Sequence, residues 1–328
     1  MSLGEFDLIR RYFERPNVQE AAASPAQGVQ LGIGDDCAVL RPTPGHDWLV
    51  STDMLVEGRH FLSTVAPGRL GHKALAVNLS DLAACGATPR AFTLALSMPR
   101  VDEDFLQGFA QGLFALADAH GIALVGGDTT AGPLNVCITV MGEAPPGQAL
   151  LRSGARAGDD IYVSGQLGDA RLALEVFRGK AALTGEAFEQ VRQRMECPQP
   201  RVLLGQALRG LASSAIDVSD GLSGDLGHVL QRSGVGAALW VDALPRSPVM
   251  AAQPAALQLE CLLNGGDDYE LVFTAPPQRR HAVQAAANAS HTAISLIGRI
   301  EAEAGLRVLD GKGQRMNPGF RSFDHFKS

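Results

Sequence analysis

Short acidic segments recur along this chain of 328 residues, and most of them adjoin an apolar run. They combine Asp with Gly, Ser, Thr or Asn, the residue types that close turns most readily. Apolar runs interrupted by such turns are typical of a protein that mixes strands and helices. The acidic segments are residues 34–36, 51–53, 78–81, 126–128, 217–220 and 265–268.

The repeated carboxylates predict a magnesium site. Mg²⁺ prefers oxygen ligands and usually takes only one or two carboxylates, with water and substrate phosphates completing its shell. Two carboxylates about 4 Å apart repel by roughly 4 kcal/mol at an effective dielectric constant near 20, so several that converge require cations. We therefore expect these distant segments to meet in one metal-rich, phosphate-binding site. For any single Asp, a turn or a helix cap is an equally good interpretation.

Length and patterning indicate two globular domains with an α/β (α+β) fold. With 46% hydrophobic and 19% charged residues, the chain has the composition of a folded protein, and its length suits two cores. Pro145–Pro146–Gly147 is the clearest boundary signal, which predicts domains over residues 1–147 and 148–328. Periodicity predicts helices over 70–85 and 102–120, and strands over 48–56, 122–125, 261–264 and 269–274.

Charge and cysteine usage exclude several classes of protein. A net charge of −7 provides no basic surplus for nucleic acid. The five cysteines are scattered without CxxC spacing, which argues against a zinc site or a disulfide framework and favours a reduced, cytoplasmic compartment. No apolar stretch is long enough to span a bilayer, and we expect no membrane partner.

The segment Gly126–Gly127–Asp128 follows an apolar strand and is typical of places where glycine amides approach a nucleotide; a tight turn is the alternative. There is no GxxxxGK[ST] sequence and no GxGxxG fingerprint, so neither a P-loop nor a Rossmann site is indicated. Arg152 is either a phosphate ligand or a solvated loop arginine. His60 is the only histidine beside an acidic segment, and no catalytic dyad or triad is evident from spacing.

Together these motifs, with residues 73–84, 152–154, 216–222 and 266–271, resemble the thiamine-monophosphate kinase family of the aminoimidazole-ribonucleotide-synthetase superfamily, over essentially the whole chain. The resemblance implies an N-terminal domain that binds ATP and magnesium and pairs through its sheet across a homodimer, and a C-terminal α/β domain that completes the active site. It implies Mg²⁺-assisted transfer of phosphate from ATP to thiamine monophosphate, giving ADP and thiamine diphosphate.

The resemblance also assigns roles by motif, with several magnesium ions and no catalytic side chain. Thiamine monophosphate would contact His60, Asp267 and Phe320. The family often has Glu where Asp267 stands and Trp where Phe320 stands; Phe keeps a stacking face but loses the indole donor. ATP would contact Gly126, Gly127, Arg152 and Ser219. Metal ligands would be Asp36, Ser51, Thr52, Asp53, Asp81, Asp128, Asp217 and Asp220.

Two alternatives stay open from the sequence. One is another ATP-using synthetase of the superfamily, which would require a reactive Cys or a distinctive N-terminal segment; Cys37 has the character of a small core residue. The other is a non-catalytic sensor of nucleotides or divalent ions.

Overall fold

The computed structural model describes residues 4–15 and 28–316. Its described residues divide into two units. The N-terminal unit runs to Leu82 and resumes over Ala87–Gly147, and the C-terminal unit comprises Ala83–Gly86 and the chain from Gln148 onward. Within this described part, no helix combines the length and apolar character needed to cross a membrane. Phe320 lies outside the described residues.

The N-terminal unit is built on a four-stranded sheet. Its helices are α1 (Glu5–Tyr12), α2 (Pro67–Ala84) and α3 (Glu103–His120). Its strands are β1 (Val29–Leu31), β2 (Val39–Leu40), β3 (Asp47–Val56), β4 (Thr88–Met98), β5 (Ala123–Ala131) and β6 (Asn135–Ala144). The sheet order is β3-β6-β4-β5, in which β4 and β5 are parallel and the other pairs antiparallel. β1 and β2 form a separate antiparallel pair.

Helix α3 shows how the sequence produces this core. Asp102 caps it by accepting the Phe105 backbone N–H at 3.0 Å, and Gly121, with φ 59°, ends it. Its apolar residues recur at helical spacing, and most of them are buried. The same holds for α2, whose buried leucines include Leu75, Leu79 and Leu82. Each fully buried leucine contributes about 1.5–3 kcal/mol relative to exposure. Both predicted helices are confirmed.

The C-terminal unit contains a seven-stranded sheet in the order β13-β12-β9-β11-β7-β10-β8. The strands are β7 (Asp160–Ser164), β8 (Ser214–Asp217), β9 (Gly236–Trp240), β10 (Leu271–Ala275), β11 (Ile294–Glu301), β12 (Gly305–Leu309) and β13 (Arg315–Met316). The helices are α4 (Asp169–Phe177), α5 (Gly185–Glu196), α6 (Val202–Ala207), α7 (Leu222–Ser233), α8 (Pro248–Ala251), α9 (Ala255–Asn264) and α10 (Arg280–Ala289). Strand β10 lies between β7 and β8, antiparallel to both.

One predicted strand is wrong. Residues 261–264 form the last turn of α9, where Cys261, Leu262 and Leu263 are buried. A four-residue apolar run fits a buried strand and a buried helix face equally well, and tertiary packing decides between them. The consequence is that a helix, not a strand, leads into the acidic loop at residues 265–270.

Candidate active site

A cavity of about 700 Å³ opens in the N-terminal unit. Its walls come from α1, the acidic turn at residues 33–36, β4 and β5. Acidic and glycine residues that are far apart in the sequence therefore border one space. The predicted site residues that line it are Asp36, Gly126, Gly127 and Asp128.

The glycine pair lies in a bulged strand and not in a turn. β5 continues through it to Ala131, and its pairing with β4 skips Val125, which is how a β-bulge redirects a strand near a site. Gly127 has φ 148°, and a Cβ there would overlap the Leu94 carbonyl oxygen, so only glycine fits. At Gly126 a Cβ would meet no atom within 4 Å. The Gly126 backbone thus borders open cavity space.

The acidic segment of β3 is tied to α2. The Ser51 hydroxyl donates a hydrogen bond to the Asp81 carboxylate, and the Asp53 backbone N–H donates to Asn78 Oδ1 at 3.1 Å. Because side chains alternate along a strand, Thr52 lies on the opposite, exposed face, where its hydroxyl contacts a threonine of β6 at 2.8 Å. The structure therefore brings Ser51 to Asp81 and directs the Thr52 side chain elsewhere.

His60 is held in a defined orientation after β3. Its Nδ1 accepts the Val56 backbone N–H at 3.0 Å, so the ring proton is on Nε2. The ammonium group of Lys73, a residue only 2% exposed, donates to the His60 carbonyl oxygen at 3.3 Å. His60 can therefore act as an Nε2–H donor toward a phosphate or another acceptor.

In the C-terminal unit, the predicted segments at residues 217–220 and 265–268 lie side by side and are joined by backbone hydrogen bonds. The Asp267 N–H donates to the Ser219 carbonyl oxygen at 2.9 Å, and the Tyr269 N–H donates to the Val218 carbonyl oxygen at 2.8 Å. A Cβ on Gly266 would overlap the Ser219 carbonyl oxygen, so the close approach requires glycine. The predicted ATP contact Ser219 and the predicted substrate contact Asp267 are consequently neighbours.

A buried carboxylate supports the segment that carries Asp220. Asp225, in the first turn of α7, accepts the Asp220 backbone N–H at 3.0 Å. Burial raises the pKa of Asp225 to about 7, although that hydrogen bond and the positive charge of Arg152 oppose the rise. Arg152 is itself exposed, so its charge lies at the surface of this segment. Asp217, the last residue of β8, is buried.

The carboxylates do not form a compact metal cluster. Over residues 4–15 and 28–316, no three His, Cys, Asp or Glu side chains are grouped so as to hold an ion by themselves. Asp36 and Asp128 instead line one cavity. This donor set fits Mg²⁺, which takes one or two carboxylates and completes its shell with water and phosphate oxygens.

Two family models match the chain. The model for AIR synthase related protein, N-terminal domain, matches residues 34–144, and the corresponding C-terminal domain model matches residues 156–311. The thiamine-monophosphate kinase of Salmonella typhimurium is 45% identical over 329 residues, which cover 99% of each chain. This chain belongs to the thiamine-monophosphate kinase family.

Solved structures agree with this membership. The crystal structure of thiamine-monophosphate kinase from Stenotrophomonas maltophilia K279a is 44% identical with a TM-score of 0.85, covering 96% of this chain and 99% of that one. AaThiL complexed with AMPPCP and TMP is 28% identical with a TM-score of 0.76, covering 99% of each chain. The predicted family and the two-domain mixed α/β fold are confirmed.

The sequence motifs did not predict which residues orient the side chains of the site. Lys73 and Asn78 lie inside the motif at residues 73–84, yet only the structure shows them bonded to the segments that carry His60 and Asp53. The one sequence signal was the spacing of Asn78, three residues before Asp81 on a helix, which puts both on one side.

Proposed function

We propose that this chain transfers the γ-phosphoryl group of ATP to thiamine monophosphate and releases ADP and thiamine diphosphate. The observation that carries the proposal is the 45% identity to the Salmonella typhimurium thiamine-monophosphate kinase over 99% of both chains. AaThiL, which matches 99% of this chain, is complexed with AMPPCP, an ATP analogue, and TMP. The geometry of the N-terminal cavity supplies a place for the nucleotide.

ATP occupies the cavity beside Gly126 and Gly127 in this proposal. A Cβ at Gly126 would meet no atom within 4 Å, so a ligand has room to lie against the backbone there. In the C-terminal unit, the exposed guanidinium of Arg152 supplies a permanent positive charge for phosphate oxygens. Ser219 is the second predicted ATP contact in this unit. The carbonyl oxygen of Ser219 accepts a hydrogen bond from the Asp267 N–H.

Magnesium is the metal that these carboxylates fit. When bound, Mg²⁺ neutralises the charge that phosphoryl transfer concentrates on the phosphate oxygens. We assign its ligands to single residues contributed by different segments, because one or two protein carboxylates per ion suffice. The residues that would hold magnesium ions through their side chains are Asp36, Ser51, Asp53, Asp81, Asp128, Asp217 and Asp220. The Thr52 side chain lies on the opposite face of β3, so Thr52 would contribute only its backbone carbonyl oxygen.

The acceptor requires orientation more than activation. A terminal phosphate with a second pKa of about 6 is ionised at neutral pH, so its oxygen attacks the γ-phosphorus of ATP in line without a strong general base. His60 offers an Nε2–H donor, and Asp267 offers an acceptor for the aminopyrimidine of thiamine monophosphate. We expect Phe320 to supply a stacking face. Positioning and charge neutralisation then provide most of the catalysis.

We propose a homodimer formed through the N-terminal sheet. On β3, Val50 is 62% exposed and Met54 is 53% exposed, with the Thr52 hydroxyl between them. Exposed apolar residues grouped on one sheet face mark an interaction surface. We also place the protein in the cytoplasm, where its five free cysteines remain reduced.

The proposal is tested by incubating the chain with ATP, Mg²⁺ and thiamine monophosphate and identifying products by mass. The expected result is thiamine diphosphate and ADP in equal amounts, and neither product when the acceptor is omitted. ADP without thiamine diphosphate would indicate a different acceptor. Nucleotide binding without any ADP would indicate a sensor and would overturn the proposed activity.

A further inference from the structure

The loop that carries Asp267 has a strained backbone. Asp267 has φ 68° and Tyr269 has φ 50°, values in the left-handed region that side chains with a Cβ rarely adopt. Residues in such conformations persist only where the surrounding structure holds them, and they concentrate at functional sites. The two strained residues flank Asp268, so the contacts of this segment decide how Asp267 is presented.

Buried ion pairs and hydrogen bonds hold the loop. Both carboxylate oxygens of Asp268 accept the Gly168 backbone N–H, at 3.0 and 2.9 Å. Glu270, 1% exposed, accepts two hydrogen bonds from Arg201 at 2.6 and 2.7 Å and one from Arg194 at 2.8 Å. Bidentate arginine–carboxylate contacts restrict geometry as well as adding energy. Asp268 and Glu270 therefore anchor the segment on the C-terminal side of Asp267.

The Tyr269 side chain reaches back to Asp267. Its hydroxyl donates a hydrogen bond to Asp267 Oδ1 at 3.1 Å, while its ring is buried with 9% of the residue exposed. The Asp267 carboxylate is half-buried. A hydrogen bond from a fixed, buried donor restricts the side-chain rotamers of the carboxylate that accepts it.

We propose that Tyr269 is a positioning residue whose hydroxyl orients the Asp267 carboxylate to accept a hydrogen bond from the aminopyrimidine of thiamine monophosphate. This inference rests on the proposed function. Tyr269 acts on substrate only through Asp267, and its effect is confined to the binding of the acceptor. ATP, which we place against other residues, is unaffected.

The test is the kinetics of Tyr269→Phe, which removes one oxygen atom and keeps the buried ring. We expect KM for thiamine monophosphate to rise about 5- to 10-fold with KM for ATP unchanged, the size of one lost hydrogen bond. The matched control is Tyr162→Phe, since Tyr162 is also buried and donates to a carboxylate, Asp160, at 3.3 Å, outside this loop. It should leave both KM values as in the unmodified chain.

A double substitution distinguishes a Tyr269 that orients Asp267 from a Tyr269 that only stabilises the fold. In an Asp267→Ala background, Tyr269→Phe should change KM for thiamine monophosphate no further, because coupled residues lose a shared interaction only once. An unchanged KM in Tyr269→Phe, a parallel change in both KM values, or a full additional loss in the Asp267→Ala background would overturn the inference alone. An unmodified chain that makes no thiamine diphosphate would overturn the proposed function and the inference with it.

Discussion

Gly126 and Gly127 adjoin on β5, yet their surroundings are opposite: a Cβ at Gly127 would overlap the Leu94 carbonyl oxygen, whereas a Cβ at Gly126 would meet no atom within 4 Å. One glycine is therefore required by the fold. At Gly126, no neighbouring protein atom would prevent a larger residue. Gly126 borders the cavity that we assign to ATP.

Alanine substitutions separate these two requirements. Gly126→Ala should fold with an unchanged free energy of unfolding and raise KM for ATP at least about 10-fold, because the methyl group occupies ligand space. Gly127→Ala should lower the free energy of unfolding by about 2–4 kcal/mol through strain and overlap. Urea denaturation and ATP kinetics check both. A Gly126→Ala chain with normal KM for ATP would remove the nucleotide from this part of the cavity.

Removing a proposed magnesium ligand should abolish most turnover without unfolding the chain. We expect Asp128→Asn and Asp81→Asn each to lower kcat at least about 100-fold, the loss found when a stabilising contact to developing charge is removed. Asp104→Asn, an exposed carboxylate in the first turn of α3, is the charge-matched control and should be silent. Near-normal turnover in either test variant would exclude that residue from the metal-binding set.

The buried Asp268 makes stability depend on pH in a defined direction. Burial raises the pKa of Asp268 well above its usual value, and Glu270 and Asp169 raise it further. The Gly168 N–H and the charge of Arg194 act in the opposite direction. In the unfolded chain the group titrates near 3.9. The folded chain thus binds this proton more tightly, so the stability that Asp268 contributes at low pH declines as pH rises from about 4 through its folded pKa.

Comparison with Asp268→Asn isolates this effect, because the amide has no proton to lose. The free energy of unfolding of the unmodified chain minus that of the variant should decrease as the pH rises above about 4, as measured in urea. A difference that stays constant or increases over that range would show that Asp268 is not protonated more readily in the folded chain.

A charge on the exposed face of β3 should dissociate the proposed homodimer. Light scattering should give twice the 34.5 kDa mass of the chain for the unmodified protein and the single mass for Met54→Glu. Val101→Glu is the control, since Val101 is 44% exposed and lies in the loop before α3. A monomeric unmodified protein, or dissociation by both substitutions, would place any interface elsewhere.

The spacing of apolar residues was enough to predict those helices and strands whose pattern of buried residues extends over several helical turns or several strand alternations. Helix α3 was predictable within one residue because a cap, an apolar stripe and a terminal glycine all agree. The run at residues 261–264 was not, since four apolar residues carry no period. The continuation of β5 through Gly126 and Gly127 could not be predicted from the sequence either, because Gly-Gly-Asp is typical of turns. Pairing with β4 keeps this segment extended.

The parts of the candidate site that the sequence did not predict depend on long-range contacts. Glu270 meets Arg194 and Arg201 across 76 and 69 residues, and neither pairing has a local signal. The positive φ angle at Tyr269 falls on a residue type that rarely adopts it, and Asp267 tolerates the left-handed region without requiring it, so no turn rule predicts this pair. Residue types indicated the chemistry, whereas packing determines which side chains orient the site.

The most direct measurement follows the phosphoryl group itself. The chain is incubated with ATP carrying a radioactive γ-phosphate, Mg²⁺ and unlabelled thiamine monophosphate, and the products are separated. We expect the label in thiamine diphosphate in an amount equal to the ADP formed. Label found only in inorganic phosphate, or remaining in ATP, would contradict phosphoryl transfer to thiamine monophosphate by this protein.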